Sequence, residues 1–350
     1  MAPATRARNP STPPADLNSD PVKTDVHDSL EAVGADAWDA LHAESRLRSP
    51  FLAWTWQREW VAVFGEGRRL EVRGVVDGSG RLVALLPLVE TAPGRWLLVG
   101  GADVSDYLDL IVLRDREEEA WVALLGSHAT DCTAWELHAV PAASPTVSAM
   151  PALAAAAGLE VSASVEERCP ILALPDTWDA LLASLSGKHR HEISRKLRRF
   201  QREAPEGRVT WESTPEGIER RLEDFLALHR RSREGKAKFM DARMERFFRR
   251  VIPALAADGR ARLSFLDVPE GPIASFVTLE WDGTVGLYNS GFHPDRAALS
   301  PGVVLLAHVI RDAIERGRRR FDFLRGEERY KYEFGPVPEA VYAVTIGARV

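Results

Sequence analysis

The segment RRRFDFLRGEERYKYEFG, Arg318 to Gly335, sets an acid inside an apolar strand and a lysine just beyond its end. Asp322 stands between Phe321 and Phe323, so strand alternation points it to the face opposite both rings. A carboxylate buried there without a partner is costly. Either it is ion-paired, with Arg318, Arg320 and Lys331 near in sequence, or it lines a cleft, and both readings stand at this point. Gly326 frees the chain to turn, and Tyr330-Lys331 follow that turn. A second chemical feature precedes it. In LYNSGFHPDRAALSPGVVLLAHVI a strand ends near Gly291, a polar loop follows, and a helix opens at Ser300-Pro301-Gly302. Unpaired N–H groups and the positive end of the helix dipole make such a start an anion site. Gly302 would let a phosphate approach the backbone closely. The plainer reading of Ser-Pro-Gly is an ordinary helix start.

The elements that must position these groups come from the rest of the chain. Its 350 residues exceed one ordinary core, so two domains are expected. Apolar residues make up 45% and charged residues 27%, the balance of a soluble globular protein. The net charge of −6 argues against a general affinity for nucleic acid or anionic membrane. Two cysteines, Cys132 and Cys169, form no CxxC, which argues against a zinc site or disulfide framework and for a reducing compartment. No apolar run is long enough to span a membrane, so no membrane insertion is expected. The start of the chain is rich in Pro, Ser, Thr and Asp and lacks the apolar core of a signal peptide. Residues 1–27 read as a disordered tail, and a cytoplasmic location follows.

From Asp36 the pattern is helical, and SPFLAWTWQREWVAVFG continues it with Ser49-Pro50 as cap and first-turn proline. Two apolar runs flank Asp77-Gly78-Ser79-Gly80, a hairpin signal. RWLLVGG and YLDLIVL extend the sheet, EEEAWVALLGSHA is a helix, and CTAWELHAV another strand. The second half repeats the plan. A basic helix or helix pair leads to GRVTWEST, then to a helix with Thr214 as N-cap, then to a second helix ending at Gly259. Three strands follow, with Asp282-Gly283 as the hairpin between the last two. The SPG helix runs to Gly317, RRFDFLRG is the next strand, and AVYAVTIGARV closes the chain. The fold class is α+β, mixed α/β, as two tandem layers each built on a mixed sheet.

Other features attract attention and carry less. GKHRHEISRKLRRFQR, Gly187 to Arg202, could meet a polyanion such as tRNA, but basic helix runs are ordinarily solvated faces. His189 and His191 lie about 200° apart around a helix and cannot share a metal. No HExxH, nucleophile elbow or Walker loop occurs, and no metal is expected. The tryptophans, Trp54, Trp56 and Trp60 among them, read as core or interface packing.

Taken in order, SGFHPDRAALSPG and GVVLLAHVIRDAIERGRRRFDFLRGEERYKYEFG resemble the C-terminal signature of the Fem-like, GNAT-fold acyltransferases, in particular the CelD-type, cellulose-biosynthesis branch. Phe321, Asp322, Gly326, Tyr330 and Lys331 fall on its motif positions, and FLALHRRSRE resembles the family helix through Leu228, His229 and Arg230. SPFLAWTWQREWVAVFG, LVALLPL and SDYLDLIV resemble its N-terminal half, so the likeness runs from Asp36 to Gly335.

The resemblance implies two tandem GNAT-like domains in the Fem-type arrangement, each a mostly antiparallel sheet flanked by helices, over residues 28–165 and 166–350. It implies one working cleft in the C-terminal copy. Acetyl-CoA or another acyl-CoA would be the co-substrate, held by Asn289, Ser290 and Gly291 at the strand end and by Ser300, Pro301 and Gly302 at the helix start. Asp322 or His229 would take the proton, Tyr330 would donate to the leaving thiolate, and Lys331 would hold a phosphate or acceptor anion. Arg230, Gly326 and Lys331 would bind substrate. The expected activity is acyl transfer to an amine or hydroxyl acceptor, a small molecule or saccharide, in envelope or exopolysaccharide biosynthesis. The Gly-x-Gly phosphate loop of simple members is missing here, and Fem-type relatives use aminoacyl-tRNA to build peptidoglycan, which is the alternative. A catalytically silent interaction protein on the same fold is the third.

Overall fold

The computed structural model describes residues 22–127, 133–232 and 234–348. The first half runs β1 (Lys23–His27), α1 (Ala35–Glu44), α2 (Trp54–Phe64), β2 (Leu70–Val76), β3 (Leu82–Ala92), β4 (Arg95–Leu98), β5 (Ile111–Val112), α3 (Glu117–Gly126), β6 (Ala134–Pro141), α4 (Pro145–Ser148), α5 (Met150–Ala156) and β7 (Leu159–Ala173). The second runs α6 (Trp178–Ser184), α7 (Gly187–Glu203), β8 (Arg208–Glu212), α8 (Pro215–Ser232), α9 (Glu234–Phe239), α10 (Ala242–Ala257), β9 (Ala261–Val268), β10 (Gly271–Trp281), β11 (Thr284–Phe292), α11 (Pro301–Glu315), β12 (Arg320–Asp322) and β13 (Val337–Ala348).

Local chemistry accounts for most of these elements. Asp282 and Gly283 both take positive φ, 47° and 73°, the geometry that suits a two-residue hairpin between β10 and β11. Asp77 Oδ1 accepts from the N–H groups of Ser79 and Arg81 and pins the β2–β3 turn. Thr214 Oγ1 accepts from Gly217 N at 3.1 Å and caps α8. VALLPLV in β3 is buried throughout, as a strand covered on both faces must be. Three expectations change. Of YLDLIVL only Ile111–Val112 pair in the sheet, because Tyr107 to Leu110 form a loop in which Leu110 N–H turns to Asp109 Oδ1. Ser49-Pro50 opens a short 3-10 turn, Pro50–Leu52, and α2 starts only at Trp54. Lys23–His27, inside the expected tail, pair with β2. Cys132 lies outside the described residues, and Cys169 is a buried free thiol.

All strands join one sheet in the order β1-β2-β3-β4-β6-β13-β7-β12-β11-β10-β9-β8, with β5 attached to β3. The halves repeat each other within it. In the first, β2, β3 and β4 pair antiparallel, α3 crosses over, and β6 returns parallel to β4. In the second, β9, β10 and β11 pair antiparallel, α11 crosses over, and β12 returns parallel to β11. The strand after each return is exchanged. β7 leaves the first half and pairs with β12, whereas β13 leaves the second half and pairs with β6. β7 and β13 also pair with each other along nearly their whole length, Leu159↔Ala348 to Ile171↔Val337. The expected boundary at residue 165 therefore falls inside one continuous strand. One apolar core spans both halves, from Trp38 and Trp56 to Phe247 and Phe265, and a second, around Phe321 and Leu306, lies beneath α11.

Removing β13 by truncation after Gly335 strips a neighbour from both β6 and β7. Such a chain is expected to lose its cooperative thermal transition entirely. A surviving native-like melt followed by circular dichroism would contradict the exchanged-strand account.

Candidate active site

The cleft exists because β11 and β12 pair for only three residues, Thr284↔Arg320 to Gly286↔Asp322. Beyond that, β11 continues to Phe292 while the other strand turns away at Leu324, a buried non-glycine residue at φ 53°. A left-handed leucine is strained and must be held. Two buried ionisable side chains hold it from opposite directions. Asp322 Oδ1 accepts from Leu324 N–H at 2.8 Å. Lys331 Nζ donates to the carbonyls of Phe323, Arg325 and Gly326 at 3.1, 3.0 and 2.9 Å and pairs with Glu328 at 2.8 Å. The acid takes the turn's N–H and the lysine takes its carbonyls, so the two residues together close the turn.

On the other wall, β11 carries a bulge. Val277 faces Asn289 and Thr278 faces Leu287, which leaves Tyr288 as the extra residue. α8 presses on this strand so closely that a Cβ at Gly291 would lie 2.5 Å from His229 N. Phe292 N–H donates to Ser232 Oγ of α8 at 2.7 Å rather than to β10. By strand alternation Ser290 N–H and C=O also point away from β10, into the gap left by β12. Lys236 Nζ accordingly meets the Ser290 carbonyl, and Ser290 Oγ at 2.8 Å.

Two cavities adjoin here. One, about 350 Å³, lies between Tyr288–Ser290 and Phe323–Lys331, with Asp103, Val104 and Asp106 of the first half as its far wall. The other, about 250 Å³, is mostly apolar and runs from Ser290 past Phe276 and Phe292 to Ser300–Val303. Lys236, Ser290, Glu328 and Tyr330 line both and form their junction.

The structure brings together most of the residues named from the sequence. Asn289, His229, Tyr330 and Lys331 line the first cavity, and Ser290, Gly291, Ser300, Pro301, Gly302 and Tyr330 the second. Their parts differ from expectation in several cases. Asp322 is not on either wall. It faces the first half, where Tyr107 OH donates to its Oδ2 at 2.8 Å, and burial pushes its carboxyl up to about 7. Lys331 does not project from the turn, since it is 4% exposed and its protons are taken. Gly326, at φ 103°, serves the turn, its carbonyl accepting from Lys331. Arg230 points across to α10, where it pairs with Glu245, and lines neither cavity. Ser300 gives no side-chain cap and takes φ 52°. Its carbonyl accepts from Val303 N and Val304 N, and its own N–H goes to Ala297 O. Pro301 has no N–H, so Gly302 holds the one N–H of this helix start without a backbone acceptor among the described residues. The anion site is thus much thinner than Ser-Pro-Gly implies. His229 is 1% exposed, and burial, aided by Lys236, pushes its imidazole down to about 4. Neutral at physiological pH, it donates from Nε2 to Asn289 Oδ1 at 2.8 Å and orients that amide.

Sequence reasoning missed Glu328, Lys236, Arg325, Asp106 and Tyr107. Burial acts to raise Glu328, yet Lys331 and then its own hydrogen bonds hold it below the usual carboxylate range, so it is ionised. Arg325 pairs with Asp106 at 2.7 Å and donates to Ala102 O, tying the turn to the first half. The signals were present in RGEERYK and SDYLDL, charges set in or beside apolar runs, but only the fold shows that the two segments meet.

Residues 187–332 match the model of the Acetyltransferase (GNAT) domain. Among curated proteins no sequence matches significantly. Solved structures do. FemX aligns with a TM-score of 0.62 at 12% identity, covering 91% of this chain and 96% of that one. The C-terminal domain (DUF2156) of a putative lysylphosphatidylglycerol synthetase from Agrobacterium fabrum aligns at 0.56 and 12% identity, covering 90% and 91%. L-PGS from Bacillus licheniformis aligns at 0.52 and 12% identity, covering 88% and 90%. The chain has a tandem GNAT fold in the FemX arrangement. Within that fold the bulged β11 and the short-paired β12 are the splayed strands, and α11 is the helix that follows β11 and leads to β12.

Lys331→Met removes the ammonium from three carbonyls and a carboxylate, and should cost ~2–4 kcal/mol in urea unfolding without any ligand present. An unchanged midpoint would mean that the lysine does not hold the turn. Asp322 carries a pH signature. Its folded pKa lies above the ordinary 3.8, so its contribution is complete below about 4 and is lost as pH rises through about 7. Stability curves at pH 5 and pH 8 should therefore favour Asp322→Asn over the native chain by an increment that grows with pH, on the order of 2 kcal/mol. A pH-independent increment would place the titration elsewhere.

Proposed function

We propose that this protein transfers an acyl group, acetyl in the simplest case, from an acyl carrier to an amine or hydroxyl acceptor at the junction of the two cavities. The observation that carries the reading is Ser290. Its N–H faces the gap between the splayed strands, where the apolar cavity meets the polar one. The carrier's arm lies along the apolar cavity toward Gly302, and its acyl carbonyl accepts from Ser290 N–H, which stabilises the developing oxyanion. The acceptor occupies the polar cavity between Asp106 and Asn289. Its nitrogen or oxygen attacks the carbonyl carbon, the bond to the leaving sulfur breaks, and Glu328 receives the acceptor's proton. Tyr330 donates its phenolic proton to the departing thiolate and is reprotonated from solvent. Lys331 acts through Glu328 and the turn rather than by gripping a phosphate.

The thin helix start favours keeping a second donor in view. A single uncommitted N–H at Gly302 is a weak grip for a diphosphate, and an aminoacyl-tRNA, whose ester leaves as an alcohol, would not need one there. Thermal stabilisation by acetyl-CoA supports the first donor, and stabilisation by charged tRNA the second. With the supporting donor and a panel of amines, sugars and alcohols, acylated product should appear by mass spectrometry. Glu328→Gln should lower kcat by ~100-fold with little change in donor KM. Full turnover in that variant would remove Glu328 from the chemistry, and stabilisation by neither donor would leave a non-catalytic scaffold.

A further inference from the structure

A third cavity, about 270 Å³, opens on the far side of β12, between the two halves. It holds the place in the first half that the acyl-transfer cleft holds in the second. It lies between the start of α3 and the loop after β6, as the other lies between the start of α11 and the loop after β12. Its chemistry is inverted. Where α11 opens with Pro301-Gly302-Val303, α3 opens with Glu117-Glu118-Glu119. The floor holds two further carboxylates, Asp109 at 6% exposure and Asp322 at 2%.

Both floor acids have hydrogen bonds, but among the described residues neither has a cation within ion-pair distance. Asp109 accepts from Leu110 N at 2.8 Å and from the hydroxyls of Thr146, at 2.6 Å, and Ser144. Asp322 accepts from Tyr107 OH and Leu324 N. The arginines at the rim are already paired, Arg46 with Glu117 and Arg320 with Glu339. Burial therefore pushes Asp109 up to about 6 and Asp322 to about 7. Ionised, the two buried acids carry a desolvation cost that the rim arginines, each committed to another acid, offset only in part, and a bound cation would offset the rest. The walls say which kind. Tyr107, Trp281, Ile171 and Leu110 supply aromatic and aliphatic surface. Among the described residues no group of three or more His, Cys, Asp or Glu is arranged to hold a metal. An ammonium with an apolar body satisfies both the floor and the walls.

We propose that this cavity binds a small organic ammonium ion, its charged head on Asp109 and Asp322 and its apolar body against Tyr107, Trp281 and Ile171. The site is independent of the acyl-transfer reading. Calorimetric titration of the full chain with 1-aminobutane at neutral pH should give saturable binding, and 1-butanol, its neutral counterpart, none. Asp109→Asn and Asp322→Asn should each weaken binding by about tenfold or more. In case either variant misfolds, carboxyl carbon resonances of the native chain provide a second readout. Those of Asp109 and Asp322 should move together along the titration while those of Asp103 and Asp106, in the other cleft, stay in place. Equal binding of the alcohol, unaltered affinity in folded variants, or shifts confined to Asp103 and Asp106 would each overturn the proposal.

Discussion

The left-handed turn at Leu324 is the constraint from which the site follows. A parallel strand pair does not part spontaneously after three rungs, since each further rung would satisfy two backbone groups. β12 parts from β11 because its next residues have better partners elsewhere. Asp322 supplies an acceptor for Leu324 N–H, and Lys331 supplies donors for three carbonyls around the bend, those of Phe323, Arg325 and Gly326. Each of these groups is itself buried, so neither could be left unpaired. The clamp holds the turn because the turn satisfies the clamp. The gap in the sheet, the Ser290 N–H that faces it and the meeting of two cavities all follow from that one exchange of hydrogen bonds.

The exchanged strands make this arrangement a property of the whole chain. β7 braces β12 from the side away from the cleft, and it comes from the first half. The loop before β5 comes from there too, and it touches the turn three times, through Tyr107 to Asp322 and through Asp106 and the Ala102 carbonyl to Arg325. Tyr288, the bulged residue, donates to Val104 O in the same loop. The first half therefore acts as the third wall of the cleft and as the reason its second wall keeps its shape.

How much of this the sequence disclosed depends on the range of the interaction. Local chemistry was legible. The Asp282-Gly283 hairpin and the Thr214 cap rest on contacts within a few residues, and the fold class and the Ser290 to Gly302 neighbourhood on the order of elements along the chain. What was illegible depends on direction and on distant partners. Strand alternation correctly set Asp322 opposite its flanking phenylalanines, but it could not tell that the opposite face meets Tyr107, 215 positions away. Nothing local distinguishes a lysine that projects from a turn from one that folds back under it, and Lys331 does the latter. Ser300 reads as an N-cap by composition, yet its positive φ turns its carbonyl, not its side chain, toward the first N–H groups. The boundary near residue 165 suffered from the same limit, because β7 is one continuous strand that contributes to both halves.

The two halves carry the same helix at the same place, one opening on three acids and the other on none, and that difference bears on why one cleft would transfer acyl groups and the other would not. A helix start attracts anions through its dipole and its unpaired N–H groups. Three glutamates at α3 offset that attraction and favour the helix itself, so an anionic carrier would meet repulsion there. α11 has no acid in its first turn, and Ser300 has already used most of its N–H groups. Its start is left nearly neutral and lined by Phe276, Phe292 and Val303. Such a surface selects for an apolar arm more than for a charged one. Specificity for a carrier would then reside in the length and shape of that arm, with charge recognition confined to the junction where Lys236 and Glu328 face each other across Ser290.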